Sequence, residues 1–201
     1  AYALYPDSPA FARVSRLADR YRKRGGITVR GADFAHLDDE IDRVHRLLNL
    51  CLAHLPDHIG WHRESLEALV QQFRRIADPE LILFAEIEGE TVGWFPAIPN
   101  LNEVFIHVDG LRRPWDYLKL WWLLRRPTDS LTIKSILVKP EHWNSGVVVL
   151  LLAEMARRAL PKGYKWADMS LTSEDNPNTP ILAEHAGLEL YKRYRVYRLP
   201  I

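Results

Sequence analysis

Apolar residues recur every three to four positions in three early stretches: Phe11, Val14, Leu17, Ala18 and Tyr21; then Leu37, Ile41, Val44, Leu48, Cys51 and Leu55; then Leu66, Leu69, Val70, Phe73 and Ile76. That period predicts three amphipathic helices. Ser8 can cap the first, Pro9 suits its first position, and Gly25-Gly26 stops it. Ala1 to Tyr5 reads as an extended arm ahead of it. Ile27 to Arg30 predicts a short strand, and Pro56-Asp57-His58-Ile59-Gly60 separates the second and third helices. Leu81 to Glu88 and Thr91 to Pro96 read as a β-hairpin about Gly89, since glycine takes the positive φ such turns need, and Pro96 and Pro99 are expected to end it.

From Leu131 to Leu152 a β-branched run meets a polar loop and then a helical pattern that ends near Pro161-Lys162-Gly163. Such a junction aims the unpaired N–H groups of a helix's first turn at whatever sits in the loop, so it can hold a phosphate or carboxylate. Tyr164 to Thr172 alternates as a strand. Ser173 to Pro180 is a polar loop ahead of a short helix, Ile181 to Ala186, closed by Gly187. Leu188 to Leu199 predicts a long, tyrosine-rich strand.

The segment from Leu111 to Arg126 is aromatic and bracketed by arginine pairs. It suits an interfacial helix, a lid over an apolar ligand, a dimer face or a covered helix. Its apolar residues circle the helix instead of leaving a polar face, which points to packing rather than to a membrane.

Composition narrows the classes. With 201 residues, 47% hydrophobic and 26% charged, the chain can build one full core, and a net charge of +1 gives no footprint for nucleic acid or an acidic surface. The single cysteine, Cys51, excludes a disulfide framework and a Cys-rich zinc site, and reads as a core filler in a reducing compartment. No signal peptide or membrane-length apolar run is visible, so the expected compartment is the cytoplasm. The chain begins at Ala1, without an initiator Met, and is expected to be part of something longer. Ala1-Tyr-Ala-Leu-Tyr-Pro6 also echoes Tyr194-Arg-Val-Tyr-Arg-Leu-Pro200.

The order of elements over residues 27 to 201 resembles the GNAT superfamily of acyl-CoA N-acyltransferases, in particular the C-terminal half of bacterial two-domain GNAT-like proteins. Glu86-Ile-Glu-Gly-Glu-Thr-Val-Gly93, Pro99-Asn-Leu-Asn-Glu103, Leu118-Lys-Leu-Trp121, Glu174-Asp-Asn-Pro177 and Tyr191-Lys-Arg-Tyr-Arg-Val-Tyr197 carry that likeness. It implies an α/β fold with a mixed, mostly antiparallel sheet, a central splay and flanking helices. Residues 1–26 would then be an arm and helix, the tail of a preceding GNAT-like domain, ahead of the domain at 27–201.

The resemblance also implies a cofactor, acetyl-CoA or another acyl-CoA. Its pantetheine arm would pair with the backbone at Ile136 and Val138. Its pyrophosphate would sit on the loop Trp143-Asn144-Ser145-Gly146-Val147-Val148. Asn176 matches an asparagine that touches the coenzyme A arm, although a helix cap serves equally well. Of the Gln/Arg-x-x-Gly-x-Gly/Ala signature only Gly146 agrees. Trp143 replaces Gln or Arg, and Val148 replaces a small residue that lets a diphosphate approach the backbone. Lys139 or His142 can supply charge.

Amine acylation needs a base to take a proton from an ammonium and an acid to protonate the leaving thiolate. Glu103 is the candidate base, with His107 nearby. The family's acidic tyrosine falls on Ala183, so Tyr191, or Tyr194, would have to substitute. Asp168, Ser170 and Thr172 alternate along one strand and share a face. No zinc, Walker or nucleophile-elbow motif is present, and Pro56 spoils the His54/His58 pair as a metal site. Two functions follow. One is transfer of an acyl group from acyl-CoA to an amine on a small molecule. The other is a catalytically silent binding or dimerisation module with a degenerate coenzyme A site, a protein partner or second copy, and the segment at 115–124 as its contact surface.

Overall fold

A computed structural model describes residues 1–54, 59–169, 188–195 and 197. Its elements are β1 (Tyr2–Leu4), α1 (Pro9–Arg24), β2 (Thr28–Gly31), α2 (Leu37–Leu52), α3 (Arg63–Phe73), β3 (Ile82–Ile87), β4 (Glu90–Pro99), α4 (Asn102–Phe105), α5 (Pro114–Leu123), β5 (Ser130–Ile133), β6 (Leu137–Val138), α6 (Val147–Ala159), β7 (Trp166–Asp168) and β8 (Glu189–Leu190). The strands form one sheet in the order β2-β3-β4-β5-β7-β1-β8, with β6 also on β4. Only β5 and β7 run parallel among the described strands; the other pairings are antiparallel. Three layers result, with α1 and α6 on one face and α2 and α3 on the other. No described helix is long and apolar enough to cross a membrane.

Local signals explain most boundaries. The Ser8 side chain accepts the Phe11 N–H, Pro9 opens α1 and Gly25 at φ 73° closes it. The β3–β4 turn places Glu88 and Gly89 at φ 51° and 82°, as a two-residue hairpin turn requires. Cys51 packs in the α2 core, and burial pushes its thiol up to about 11. Arg30 on β2 ties α2 to the sheet, reaching Glu40 at 2.5 Å and Glu86 at 2.7 Å.

Four expectations change. First, β4 does not end at Pro96 but continues to Pro99. Pro96 lies opposite Ile82, the last rung with β3, where a missing N–H disrupts least; from Ala97 the strand pairs with β5 instead. Second, the strand predicted from Leu131 is broken at Lys134–Ile136. Leu131 and Ile133 face the α6 core, yet so does Val138, while Leu137 faces α2. The parity has slipped by one residue, the effect of a bulge. Third, the strand from Leu188 extends only through Leu190 in its described part, because its partner β1 begins at Tyr2; the Tyr191 and Lys192 amides turn onto the Ala1 carbonyl. Fourth, α5 buries none of its residues.

Residues 2–4, read from sequence as an arm, lie inside the sheet between β7 and β8, with Ala3 opposite Asp168. α1 packs on α6, where Ala18 meets Leu150 and Ala153.

Candidate functional site

The break at Lys134–Ile136 is what makes the site. β5 is held on both edges, by β4 and by β7, whereas β6 pairs with β4 alone among the described residues. Among the described residues the sheet therefore opens along the outer edge of β6. The Lys139 amide donates to the Val92 carbonyl at 2.9 Å. Since N–H and C=O groups alternate sides along a strand, those of Ile136 and Val138 face the opening. That is the backbone display an extended ligand needs. The Val138 carbonyl already has a partner, however: the Trp143 indole N–H donates to it at 2.9 Å.

The loop after β6 is self-supporting. Lys139 ion-pairs with Glu90 on the hairpin turn, and Pro140 to His142 form a single tight turn. The Ser145 hydroxyl and amide both donate to the His142 carbonyl, at 2.7 and 3.1 Å. Trp143 is 44% exposed and meets His54 edge-on. Gly146 sits at φ 92°, and a Cβ there would stand 2.5 Å from the ring of Tyr21 on α1. Two independent constraints thus require glycine at 146.

α6 starts on the sheet itself. Gly93 faces Val138 across the ladder, and a Cβ on Gly93 would meet Val147 at 3.0 Å. The missing side chain lets the first turn of α6 settle against β4. No described side chain caps this helix, so its first-turn amides point with the positive end of the macrodipole into the loop. Val148 packs against the main core, and Asn144 is exposed. Beside the loop, and sharing Lys139 with it, a cleft of about 910 Å³ is lined by Arg43, Arg46, Leu47, Leu50 and Glu90.

A second cleft, of about 730 Å³, lies at the other end of β5 and contains Glu103, His107, Arg126, Asp129 and Trp166. Here Pro99-Asn-Leu-Asn-Glu103 folds into a knot. Glu103 accepts the Asp129 amide at 2.7 Å and the Ser130 amide at 3.0 Å, and also the Ser130 hydroxyl. Asn100, buried, donates to the Ser130 hydroxyl at 3.0 Å. Both Glu103 oxygens are therefore engaged in pinning the start of β5.

Trp166 connects this cleft to Tyr191. It stacks on Tyr5 at 6.1 Å and meets Tyr191 edge-on at 5.8 Å. The Tyr191 hydroxyl is enclosed beside the Asp168 carboxylate. Burial first, and then the Asp168 carboxylate beside it, push its pKa up. The phenol stays protonated at neutral pH.

The predicted site residues thus fall into two groups. Ile136, Val138, Trp143, Asn144, Ser145, Gly146, Val147 and Val148 share the open edge and its loop, while Glu103 and Tyr191 flank Trp166. Asn176, Ser170, Thr172, Ala183 and Gly187 lie outside the described residues. Sequence reasoning missed Tyr21, Gly93, Trp166 and the Glu90–Lys139 pair. Gly93 sits in a strand pattern, a known mark of close backbone approach; the other three act across long sequence separations and leave no local signal.

The acetyltransferase (GNAT) family model matches residues 41–187. A bacterial ceramide synthase from Caulobacter vibrioides is 28% identical over 92% of this chain and 50% of its own length. The protein YghO from Escherichia coli is 26% identical over 96% of this chain and 50% of its own. The chain thus spans about half the length of the curated relatives it matches. Among solved structures, an aminoglycoside N-acetyltransferase in complex with a CoA-linked bisubstrate analogue superposes with a TM-score of 0.56 at 19% identity, covering 88% of this chain and 100% of that one. The C-terminal domain of a putative lysylphosphatidylglycerol synthetase from Agrobacterium fabrum gives 0.52 at 12% identity, covering 92% and 50%. At these identities the likeness is one of fold.

Proposed function

The chain belongs to the acetyltransferase (GNAT) family, and from that premise we propose that it transfers an acyl group from an acyl-CoA to an amine. The observation that carries this reading is the edge of β6, unpaired among the described residues, leading directly into the first turn of α6, which no described side chain caps. The backbone of Ile136 and Val138 would pair with the pantetheine arm. The amides of Gly146 to Val148 would face the diphosphate, with Lys139 adding charge. The residues fit the ligand in the backbone edge and the helix start. They fit less well at Trp143, whose indole competes for the Val138 carbonyl.

In the reaction the amine nitrogen attacks the thioester carbonyl, a C–N bond forms and the C–S bond breaks. The ammonium proton is lost to a base before attack, and the thiolate leaving group takes up a proton. Tyr191 is the candidate donor on this reading, with burial and the Asp168 carboxylate making its phenol a weaker acid than usual. Glu103 holds the β5 start in register. We assign it a positioning role, because a carboxylate with three donors on it has little capacity left to take a substrate proton.

For the acceptor we propose a long-chain amino alcohol, the kind of amine that is acylated to a ceramide, on the strength of the Caulobacter relative. The active unit would include an upstream GNAT-like domain, in keeping with relatives twice as long as this chain. Incubation of the full-length protein with a long-chain acyl-CoA and such an amine should release one free thiol per amide formed, measured by thiol titration and mass spectrometry.

A second reading is favoured by Trp143, whose indole N–H takes the Val138 carbonyl that the ligand would use. On it the chain is a silent module whose coenzyme A site has closed. Neither thiol release nor amide, with any acyl-CoA tried, would select this second reading.

A further inference from the structure

The ten residues of α5 present an apolar surface, and none of them is buried. Trp115 is 70% exposed, Leu118 68%, Trp121 52% and Trp122 49%, and with Lys119 they line one shallow surface depression. Isolated exposed apolar side chains are ordinary, but a contiguous group of this size on one short helix marks a contact surface. Its rings are mainly indole, with the Tyr117 phenol adjoining them. These are the amphipathic rings that settle at the boundary between lipid headgroups and hydrocarbon.

The charges around it have one sign. Between residues 112 and 126 stand Arg112, Arg113, Lys119, Arg125 and Arg126 against one carboxylate, Asp116, in a chain whose total formal charge is only +1. Asp116 is spent locally, accepting the Arg113 amide at 2.9 Å. Arg125 and Arg126 lie over the rings of Trp121 and Trp122, with guanidinium carbons 3.5 and 3.6 Å from the ring centroids. Cations are therefore held at the edge of the apolar surface, where phosphates meet hydrocarbon in a bilayer.

We propose that α5 docks the protein on an anionic lipid surface, its indoles entering the headgroup region and its arginines and Lys119 pairing with lipid phosphates. The sequence alone pointed to packing because the apolar residues circle the helix. That objection lapses once the helix is seen with no buried residue: it can enter as a short apolar tip ringed by cations, without lying flat. Basic residues near an anionic leaflet are drawn to it, and five stand between residues 112 and 126. The proposal does not depend on acyl transfer.

Vesicle co-sedimentation tests it. The protein is mixed with vesicles of phosphatidylcholine alone, or of phosphatidylcholine with about a third phosphatidylglycerol, enough to give an anionic surface. Binding is expected to the anionic vesicles and to weaken at high salt. It should fall at least tenfold in Trp121→Ser/Trp122→Ser and in Lys119→Glu/Arg125→Glu, with unchanged circular dichroism. No binding to anionic vesicles, or binding unaltered in both variants, would overturn the proposal. So would a dimer in sizing chromatography that the tryptophan variant dissociates, since α5 would then be a protein interface.

Discussion

At the residue scale the site turns on Trp143 and Glu103. Trp143 was legible only as a departure from a signature, because nothing local shows that its indole reaches back five residues to the Val138 carbonyl. Trp143→Gln should free that carbonyl. A net hydrogen bond is worth about 1 kcal/mol, so acyl-CoA binding should tighten by roughly fivefold, as read by calorimetry. Glu103 was visible as a candidate base on the strength of where it falls, and its three donors come from residues 26 and 27 positions away. Glu103→Gln replaces one acceptor oxygen by a donor and leaves the Asp129 or the Ser130 amide unpaired. It should destabilise by about 1–2 kcal/mol in urea unfolding. A large loss of turnover with stability unchanged would return Glu103 to the role of base.

At the scale of elements, the amphipathic helices and the hairpin followed directly from periodicity and turn chemistry, down to the Ser8 cap and the Glu88-Gly89 turn. The break in the central strand did not, since Leu131 to Val138 reads as one uninterrupted run and the bulge appears only when its parity is compared across the two cores. α6 is locked in place from two sides. Glu154, nearly buried, binds Arg157 at 2.6 Å and Arg158 at 2.7 Å, and reaches Arg22 on α1 at 3.5 Å. Hydrogen bonds from Arg157 and then Arg158 hold its carboxyl down to about 2 against the desolvation that opposes them.

A depressed carboxylate stabilises above its unfolded pKa and loses that contribution as pH falls through the folded value. Stability should therefore decline between about pH 4.5 and 2. Its share is on the order of 2 kcal/mol, and Glu154→Gln should remove most of that slope in unfolding midpoints taken across the range. At the other end of α6, Gly93→Val should push Val147 off β4. We expect a loss of about 1–3 kcal/mol from overpacking and weaker acyl-CoA binding, as the helix start moves relative to β6.

For the whole molecule, the order of elements and the family resemblance it carries implied a mixed α/β fold, and the family match and the solved structures agree. The position of Tyr2–Leu4 was not legible, because three residues carry no pattern and their partners lie more than 160 positions away, at Asp168 and Glu189. The exposure of α5 was hidden for a related reason: an apolar run looks the same whether or not anything covers it. The most direct test of the assigned edge and loop is calorimetric titration of the protein with acetyl-CoA and with a longer-chain acyl-CoA. Saturable binding of at least one is expected in the micromolar range, weakened several-fold in Asn144→Asp, which places a negative charge on the exposed loop before α6. No heat from either ligand at high micromolar concentration, or affinity indifferent to that charge, would contradict the assignment of β6 and the α6 start as the acyl-CoA site.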